Sequence, residues 1–399
     1  MDNRKVNSYG IVGSIYANYI IQSIALIVIM QFSLDLSTQL NANLVNLGYI
    51  ASGIGIGKIG LMFIGGLLSD KFGRKLFILL GMSCYAIFFI GMTFCTNIHI
   101  AFCLAIAVGA GNSFLDTGSM PALTECFPNS AGSASVLIKA FISIGSLVLP
   151  FIVTFFHSNH IWYGWAFLGF TFYLLMNSLL ILPQKFPHKD TAIKGNEGTG
   201  DYFKATPRFE FEGILLILMG FTTTATFVII LQWLPTIAMK SVNMSDTDAN
   251  LLISYYSTAS IISVFATAFI VKRFLKPIFC IIILPVLSAL VMILFYFNIS
   301  PLMCVIAAIG MGFTAAGGVL QLTLVVMQQM FPTRKGLAVG CMYTFSGLAF
   351  VVIPRIVPKL AMTNVSYAIL LDFFIAMLSV ILGAIVFYRF KQVIDITKI

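Results

Sequence analysis

Two charged side chains lie inside long apolar segments in the first half of the chain. Asp116 lies nine residues before Glu125 in one apolar run, and Lys139 lies eight residues after Ala131 in the next. Because the runs are joined by a short polar break, a rise of ~1.5 Å per residue places both charges roughly 12–14 Å inside consecutive helices. An unpaired charge at that depth in a bilayer costs ~3 kcal/mol or more. We therefore expect Asp116 and Lys139 to face each other or a watery cavity.

The position of Asp116 suits proton coupling. A low-dielectric environment favours the protonated form of a carboxyl group, whereas a nearby cation such as Lys139 favours the charged form. A conformational change that alters solvent access or separates the pair could therefore load and release a proton. The alternative is a permanent Asp116–Lys139 ion pair that only fixes helix packing.

A third intramembrane charge, Lys58, lies twelve residues before Asp70 and hence ~18 Å along the preceding helix. Its two candidate partners are Asp116 and an anionic substrate. Two lysines against one aspartate leave one positive charge over when Asp116 is ionised. This surplus suggests a substrate that is anionic or rich in hydrogen-bond acceptors. Alternatively, Lys58 snorkels to the interface or is neutral.

The composition indicates a membrane protein. Of 399 residues, 59% are hydrophobic and only 9% are charged, whereas ordinary soluble domains are about one quarter charged. Spans of ~20 apolar residues predict an all-α protein with twelve transmembrane helices at about 9–32, 43–69, 75–95, 98–124, 133–156, 161–182, 213–236, 248–272, 276–297, 301–328, 336–358 and 365–388. The net charge of +9 comes mostly from connections between spans, so it does not indicate a nucleic-acid partner.

The chain divides into two related halves. The only long polar connection predicts a six-helix bundle at 1–182, a cytoplasmic linker at 183–212 and a second bundle at 213–399. A shift of 204 positions aligns Phe127-Pro128 with Phe331-Pro332, and Pro150 with Pro354. Parallel six-span repeats of this kind build one major class of secondary transporter.

The basic residues predict the orientation. If the N-terminus is cytoplasmic, nearly all loop lysines and arginines fall on the cytoplasmic side, so both termini are expected there. The expected location is the plasma membrane, with the bilayer and a small-molecule substrate as partners and a monomer as the working form.

A glycine- and charge-rich segment follows the second predicted span. It reads Gly66-Leu-Leu-Ser-Asp70-Lys71-Phe-Gly73-Arg74-Lys75. This segment resembles the loop signature of the major facilitator superfamily, in which it holds the two bundles together on the cytoplasmic side while the cavity opens outward. The resemblance implies the major facilitator fold, two pseudo-symmetric six-helix bundles and a gating role for these residues. A purely topological role for the basic residues is the alternative.

The segment around Asp116, Leu115-Asp116-Thr117-Gly118-Ser119-Met120-Pro121, is similar to the fourth-span motif of the fucose/proton symporter family. The resemblance places Asp116 where that family keeps a carboxylate implicated in proton coupling. Asp replaces the family's Glu, Met120 replaces its Asn, and Lys139 stands where an uncharged residue is expected. These departures favour an acidic or otherwise different substrate.

Further polar positions fall on helices that line the cavity in the superfamily, namely the first, fourth, seventh and tenth. They are Asn18, Gln22, Asn112, Gln232, Trp233 and Gln321. Amide contacts between helices are the alternative role, and Trp233 suits an interface anchor equally well. Asp372, near the outer half of the last span, is expected to form a pair or to snorkel.

These features predict a secondary active transporter that imports a small polar solute (a sugar, sugar acid or organic acid) with protons, by alternating access. The alternative is a proton-antiport exporter of drugs or other amphipathic compounds. The four histidines fall in loops or at span boundaries, and the glycine-rich stretch at 53–57 lacks the Gly-Lys-Ser/Thr ending of a phosphate-binding loop. We therefore expect neither an enzyme nor a cofactor or metal site, and a proton gradient as the energy source.

Overall fold

The computed structural model describes residues 8–126, 131–186, 203–316, 318–331 and 335–395. Within its helices, side chains at 8, 63, 66, 67, 70, 124, 125, 131–136, 268, 272, 273 and 335–339 lie outside the description. The described chain is helical apart from turns, short connections and an isolated bridge between Phe203 and Ile394.

The described part of the first compact unit contains seven helices. They are α1 (Ser8–Gln31), α2 (Ser33–Leu40), α3 (Leu44–Phe72), α4 (Arg74–Phe94), α5 (Ile98–Cys126), α6 (Ala131–Ser158) and α7 (Gly164–Ile181). The second unit contains a π-helical turn (Phe209–Gly213), α8 (Ile214–Val242), α9 (Asp246–Arg273), α10 (Pro277–Phe297), α11 (Pro301–Thr314), α12 (Val319–Met330), α13 (Lys335–Thr363) and α14 (Ser366–Val393).

Twelve helical stretches in the described chain are long and apolar enough to cross a membrane. They match the twelve predicted spans, with α11 and α12 together forming the tenth. The predicted all-α, twelve-span architecture is therefore confirmed.

The tenth span is broken, which was not predicted. α11 ends at Thr314 and α12 begins at Val319. Gly318 has a φ of +110°, a left-handed conformation that glycine adopts without the steric cost paid by other residues. The signal for the break is the Ala-Ala-Gly-Gly sequence at 315–318, whose small residues leave the apolar pattern uninterrupted.

The bounds of α6 and α13 agree with the internal repeat of 204 positions. Adding 204 to the bounds of α6 gives 335–362, and α13 spans Lys335–Thr363. The same shift places Asp116 on Leu320, Lys58 on Ile262 and Lys139 on Tyr343. The intramembrane charges of the first unit therefore have no counterparts in the second.

An ion pair between a buried carboxylate and a partly exposed arginine lies at one end of the second unit. Glu212, in the π-helical turn, has no solvent exposure, and its Oε1 accepts hydrogen bonds from Arg389 Nε at 2.8 Å and Nη2 at 2.6 Å. The backbone N–H of Arg208 donates to the other oxygen, Oε2, at 2.9 Å. These contacts thus hold the π-helical turn that precedes α8 against the last turns of α14.

Replacing Arg389 with glutamine is expected to destabilise the second unit. The change would leave Glu212 as a buried carboxylate without this cation. Because the Arg389 side chain is 31% exposed, we expect a cost below the about 3–5 kcal/mol for breaking a fully buried pair. We expect a lower midpoint of thermal unfolding in detergent. Lys391→Gln is the matched control, because Lys391 is an exposed cation in the same turn. Equal midpoints for the two variants would contradict this account of the pair.

Candidate functional site

Glycines bring α3 and α5 into backbone contact. A Cβ atom on Gly57 would lie 2.1 Å from the carbonyl oxygen of Ile106, and one on Gly109 would lie 2.0 Å from that of Ile54. Only hydrogen fits at either position. Just beyond this crossing, the Ser113 hydroxyl donates to the carbonyl of Lys58 at 2.8 Å. The crossing therefore fixes Lys58 against the helix that carries Asp116.

α5 also packs closely on α4. A Cβ atom on Gly118 would lie 2.8 Å from the carbonyl oxygen of Arg74, the first residue of α4. Asp116 precedes Gly118 by two residues, or ~3 Å along the helix. Along α5, Asp116 therefore lies within one turn of the level at which α4 begins. α5 continues past this level to Cys126.

Asp116 lies in a polar cluster within the first unit. The Gln22 amide Nε2 is 3.4 Å from Asp116 Oδ1, and the same amide donates to Asn112 Oδ1. Tyr19 and Tyr85 are further neighbours of the carboxylate. Asp116 itself is only partly buried. The structure thus brings Gln22, Asn112 and Asp116 together.

Lys58 is a cation that acts on Asp116. It influences Asp116 electrostatically, and Lys139 interacts electrostatically with Lys58. The direct pairing of Asp116 with Lys139 stays a prediction. Among these three side chains, the two lysines supply more positive charge than the one carboxylate can balance.

Two amide atoms in the cluster have no hydrogen-bond partner among the described residues. They are Gln22 Oε1 and Asn112 Nδ2, and both side chains are almost fully buried. A buried amide group without a partner costs about 1–3 kcal/mol. One acceptor and one donor are therefore available for a polar ligand beside Asp116.

Asn18 contributes to packing between helices. Its Oδ1 accepts a hydrogen bond of 2.8 Å from Asn177 Nδ2 of α7, and Asn177 also donates to the carbonyl of Ser14 at 2.9 Å. Asn177 was missed from the sequence, where it is an isolated amide in an apolar span. The amide within that apolar span was the only signal in the sequence for this contact between helices.

The predicted positions in the second unit have different environments. Trp233 is fully buried, and its indole N–H has no hydrogen-bond partner in the part of the chain described. It is therefore not a membrane-interface anchor. Gln232 is also buried, whereas Gln321 on α12 is exposed.

The gating segment forms the turn between α3 and α4 and contacts α5. Gly73 has a φ of +95°, Arg74 Nη1 donates to Ser69 Oγ at 3.1 Å, and Ser69 Oγ donates to the carbonyl of Thr117 at 2.9 Å. The turn is therefore bonded to the residue that follows Asp116.

Two cations of the segment point in different directions. Lys75 donates to the carbonyl of Leu182 at the end of the first unit, and Lys71 is exposed. Gly66 and Asp70 fall within α3, but their side-chain positions lie outside the described residues.

Twelve spans and a polar cluster inside one unit define a multi-pass membrane transporter. The sequence profile described as Major Facilitator Superfamily matches residues 11–354 and 216–393. The chain belongs to this family. Its members are transporters that bind small-molecule substrates within the membrane, and they are not enzymes.

Several known proteins resemble the chain along nearly its whole length. The inner membrane transport protein YdiN of Escherichia coli K12 is 36% identical over 388 residues, covering 96% of this chain and 91% of the relative. The MFS-type transporter YfkL of Bacillus subtilis 168, described as uncharacterized, is 33% identical, covering 94% and 96%. A crystal structure of a D-xylose-proton symporter superposes with a TM-score of 0.74 at 15% identity, covering 95% of this chain and 97% of that chain. That structure supports the fold.

Proposed function

We propose that this protein is a secondary active transporter that couples import of a small polar solute to protons by alternating access. The solute classes are sugars, sugar acids and organic acids, and the proton gradient supplies the energy without a cofactor. The observation that carries the proposal is the position of Asp116, a carboxylate in an amide cluster that adjoins the gating turn. The D-xylose-proton symporter with the same fold supports the choice of symport.

The contacts of Asp116 explain how protonation could drive a conformational change. When ionised, the carboxylate attracts Lys58 of α3, and protonation removes that attraction. The Ser69 hydroxyl donates a hydrogen bond to the carbonyl of Thr117 and so links the gating turn to α5. A shift of α5 relative to α3 would therefore strain this hydrogen bond or move the turn. Protonation is thereby coupled to the segment expected to gate the cavity.

The solute site proposed here is the region between Asp116 and the two lysines. Gln22 Oε1 can accept and Asn112 Nδ2 can donate a hydrogen bond, a combination that suits a hydroxyl or carboxyl group. Lys58 and Lys139 add positive charge, which favours an anionic solute. Lys139 remains a candidate for tuning the protonation of Asp116 through Lys58.

A thermal-shift screen tests the solute class. Purified protein is heated with sugars, sugar acids and organic acids at two pH values, because a bound ligand raises the unfolding midpoint by mass action. The best ligand is then offered to proteoliposomes with an alkaline interior. Accumulation above the external concentration supports symport. Uptake that does not depend on the pH gradient would overturn the proposal, as would proton-driven export of the ligand.

Replacing Lys58 with glutamine should discriminate between anionic and neutral solutes. Loss of a charge-assisted hydrogen bond costs about 1.5–3 kcal/mol, so the apparent affinity for an anionic solute should fall roughly tenfold or more. Lys240→Gln, which removes an exposed cation at the end of α8, serves as the control. Unchanged affinity for an identified anionic solute would remove Lys58 from the binding site.

We propose a plasma-membrane monomer with both termini in the cytoplasm. The support is the concentration of lysine and arginine in loops on one side of the predicted topology. In this orientation the turn at Gly73 faces the cytoplasm, as the gating role requires.

A further inference from the structure

A second intramembrane carboxylate lies in the other unit. Asp372 of α14 has no solvent exposure, so it does not snorkel as expected from the sequence. Neither of its carboxylate oxygens has a hydrogen-bond partner among the described residues. Its polar neighbours are Thr226 of α8 and Tyr256 of α9. A buried carboxylate without donors is costly unless a cation or a proton neutralises it.

A small cavity lies next to this carboxylate. Its lining consists of Thr223, Thr226, Pro285, Ser288, Ala315, Val319, Ala376 and Ser379, and it has room for about one water molecule. Asp372 and Ala376 are four residues apart on α14 and therefore share a face of the helix. Thr226 both lines the cavity and neighbours Asp372, so the cavity and the carboxylate belong to one site.

All four hydroxyl groups of the lining donate their protons away from the site. Thr223 donates to the carbonyl of Met219 at 2.7 Å, Thr226 to that of Thr222 at 3.0 Å, Ser288 to Thr314 Oγ1 at 2.8 Å, and Ser379 to Thr222 Oγ1 at 2.6 Å. Each hydroxyl oxygen then retains lone pairs but no proton for Asp372. The oxygens are thus available to a cation.

The break in the tenth span adjoins the same cavity. Ala315 and Val319, which flank the break, both line it. α11 ends at Thr314 and α12 begins at Val319. The partly negative carboxyl end of α11 and the partly positive amino end of α12 therefore both adjoin the cavity. Interrupted transmembrane helices carry ion sites in other transporters.

We propose that Asp372 and the surrounding hydroxyl oxygens form a sodium-ion site within the second unit, beside the break between α11 and α12. One carboxylate balances one positive charge, which favours a monovalent cation over a divalent one. The cavity is too small for a sugar or an organic acid. The site is separate from Asp116, so it does not depend on the proposed proton coupling.

Thermal unfolding of the purified full chain tests the site without any transported solute. The midpoint is measured against NaCl, with KCl and choline chloride at equal ionic strength. For the wild type, we expect a saturable rise that is specific to sodium, and Asp372→Asn should abolish it. Asp116→Asn should retain it.

Thr226→Val provides a milder test that spares the carboxylate. We expect the half-saturating sodium concentration to rise by ~10-fold or more. Thr171→Val is the matched control, because Thr171 is also buried and donates to the carbonyl four residues earlier, but it lies in the first unit. Absence of a sodium-specific rise in the wild type would overturn the proposal, as would an unaltered sodium response in Asp372→Asn. Stabilisation by low pH alone would also overturn it.

Discussion

Replacing Gly57 with alanine is expected to lower the thermal stability of the protein sharply. The added Cβ would lie 2.1 Å from the carbonyl oxygen of Ile106, which belongs to the backbone of α5 and cannot rotate away. Overpacking costs about 1–3 kcal/mol and occasionally more. We expect a value at or above the upper end of that range, measured as a loss of folded protein and a lower unfolding midpoint in detergent.

Gly60→Ala is the matched control for this prediction. Gly60 lies one turn further along α3, and a Cβ atom there meets nothing within 4 Å. Because alanine favours helices by ~1 kcal/mol over glycine, this variant should be neutral or slightly stabilised. If Gly57→Ala were as stable as Gly60→Ala, the close α3–α5 crossing that positions Lys58 and Asp116 would be wrong.

Replacing Asp116 with asparagine is expected to abolish solute accumulation while retaining exchange. The amide preserves the size of the side chain but cannot bind and release a proton. A gradient of one pH unit supplies about 1.4 kcal/mol for each proton, enough for roughly tenfold accumulation by one-proton symport. In proteoliposomes the accumulation ratio should fall from that value to unity, and labelled solute should still exchange across the membrane.

Asp248→Asn is the control for removal of a carboxylate. Asp248 is exposed in the first turn of α9, and its replacement should leave accumulation at the wild-type level. Proton-driven accumulation that persists in Asp116→Asn would assign coupling to another group. Loss of exchange together with accumulation would place Asp116 in solute binding.

The architecture could be predicted from the sequence because membrane spans depend on local composition. Twenty consecutive apolar residues suffice to identify a span, and the shift of 204 positions identified the repeat. The break between α11 and α12 was missed because small apolar residues continue the hydropathy pattern through it. The turn depends on the left-handed backbone of Gly318, which hydropathy does not report.

The membership of the Asp116 cluster could be predicted only in part. Asn112 and Asp116 share a helix face at a spacing of four residues, which the sequence shows directly. Which lysine acts on Asp116 depends on the crossing of α3 and α5, and the glycines responsible become informative only when the helix pairing is known. The burial of Asp372 likewise depends on which side of α14 packs inward.

The most direct test of the central claim is proton movement caused by the solute itself. A pH-sensitive dye is enclosed in proteoliposomes without an imposed pH gradient, and the identified solute is added outside. The account predicts that the lumen acidifies with wild-type protein and that Asp116→Asn admits solute without acidification. Equal acidification with both proteins would contradict the assignment of Asp116 as the proton-coupling residue.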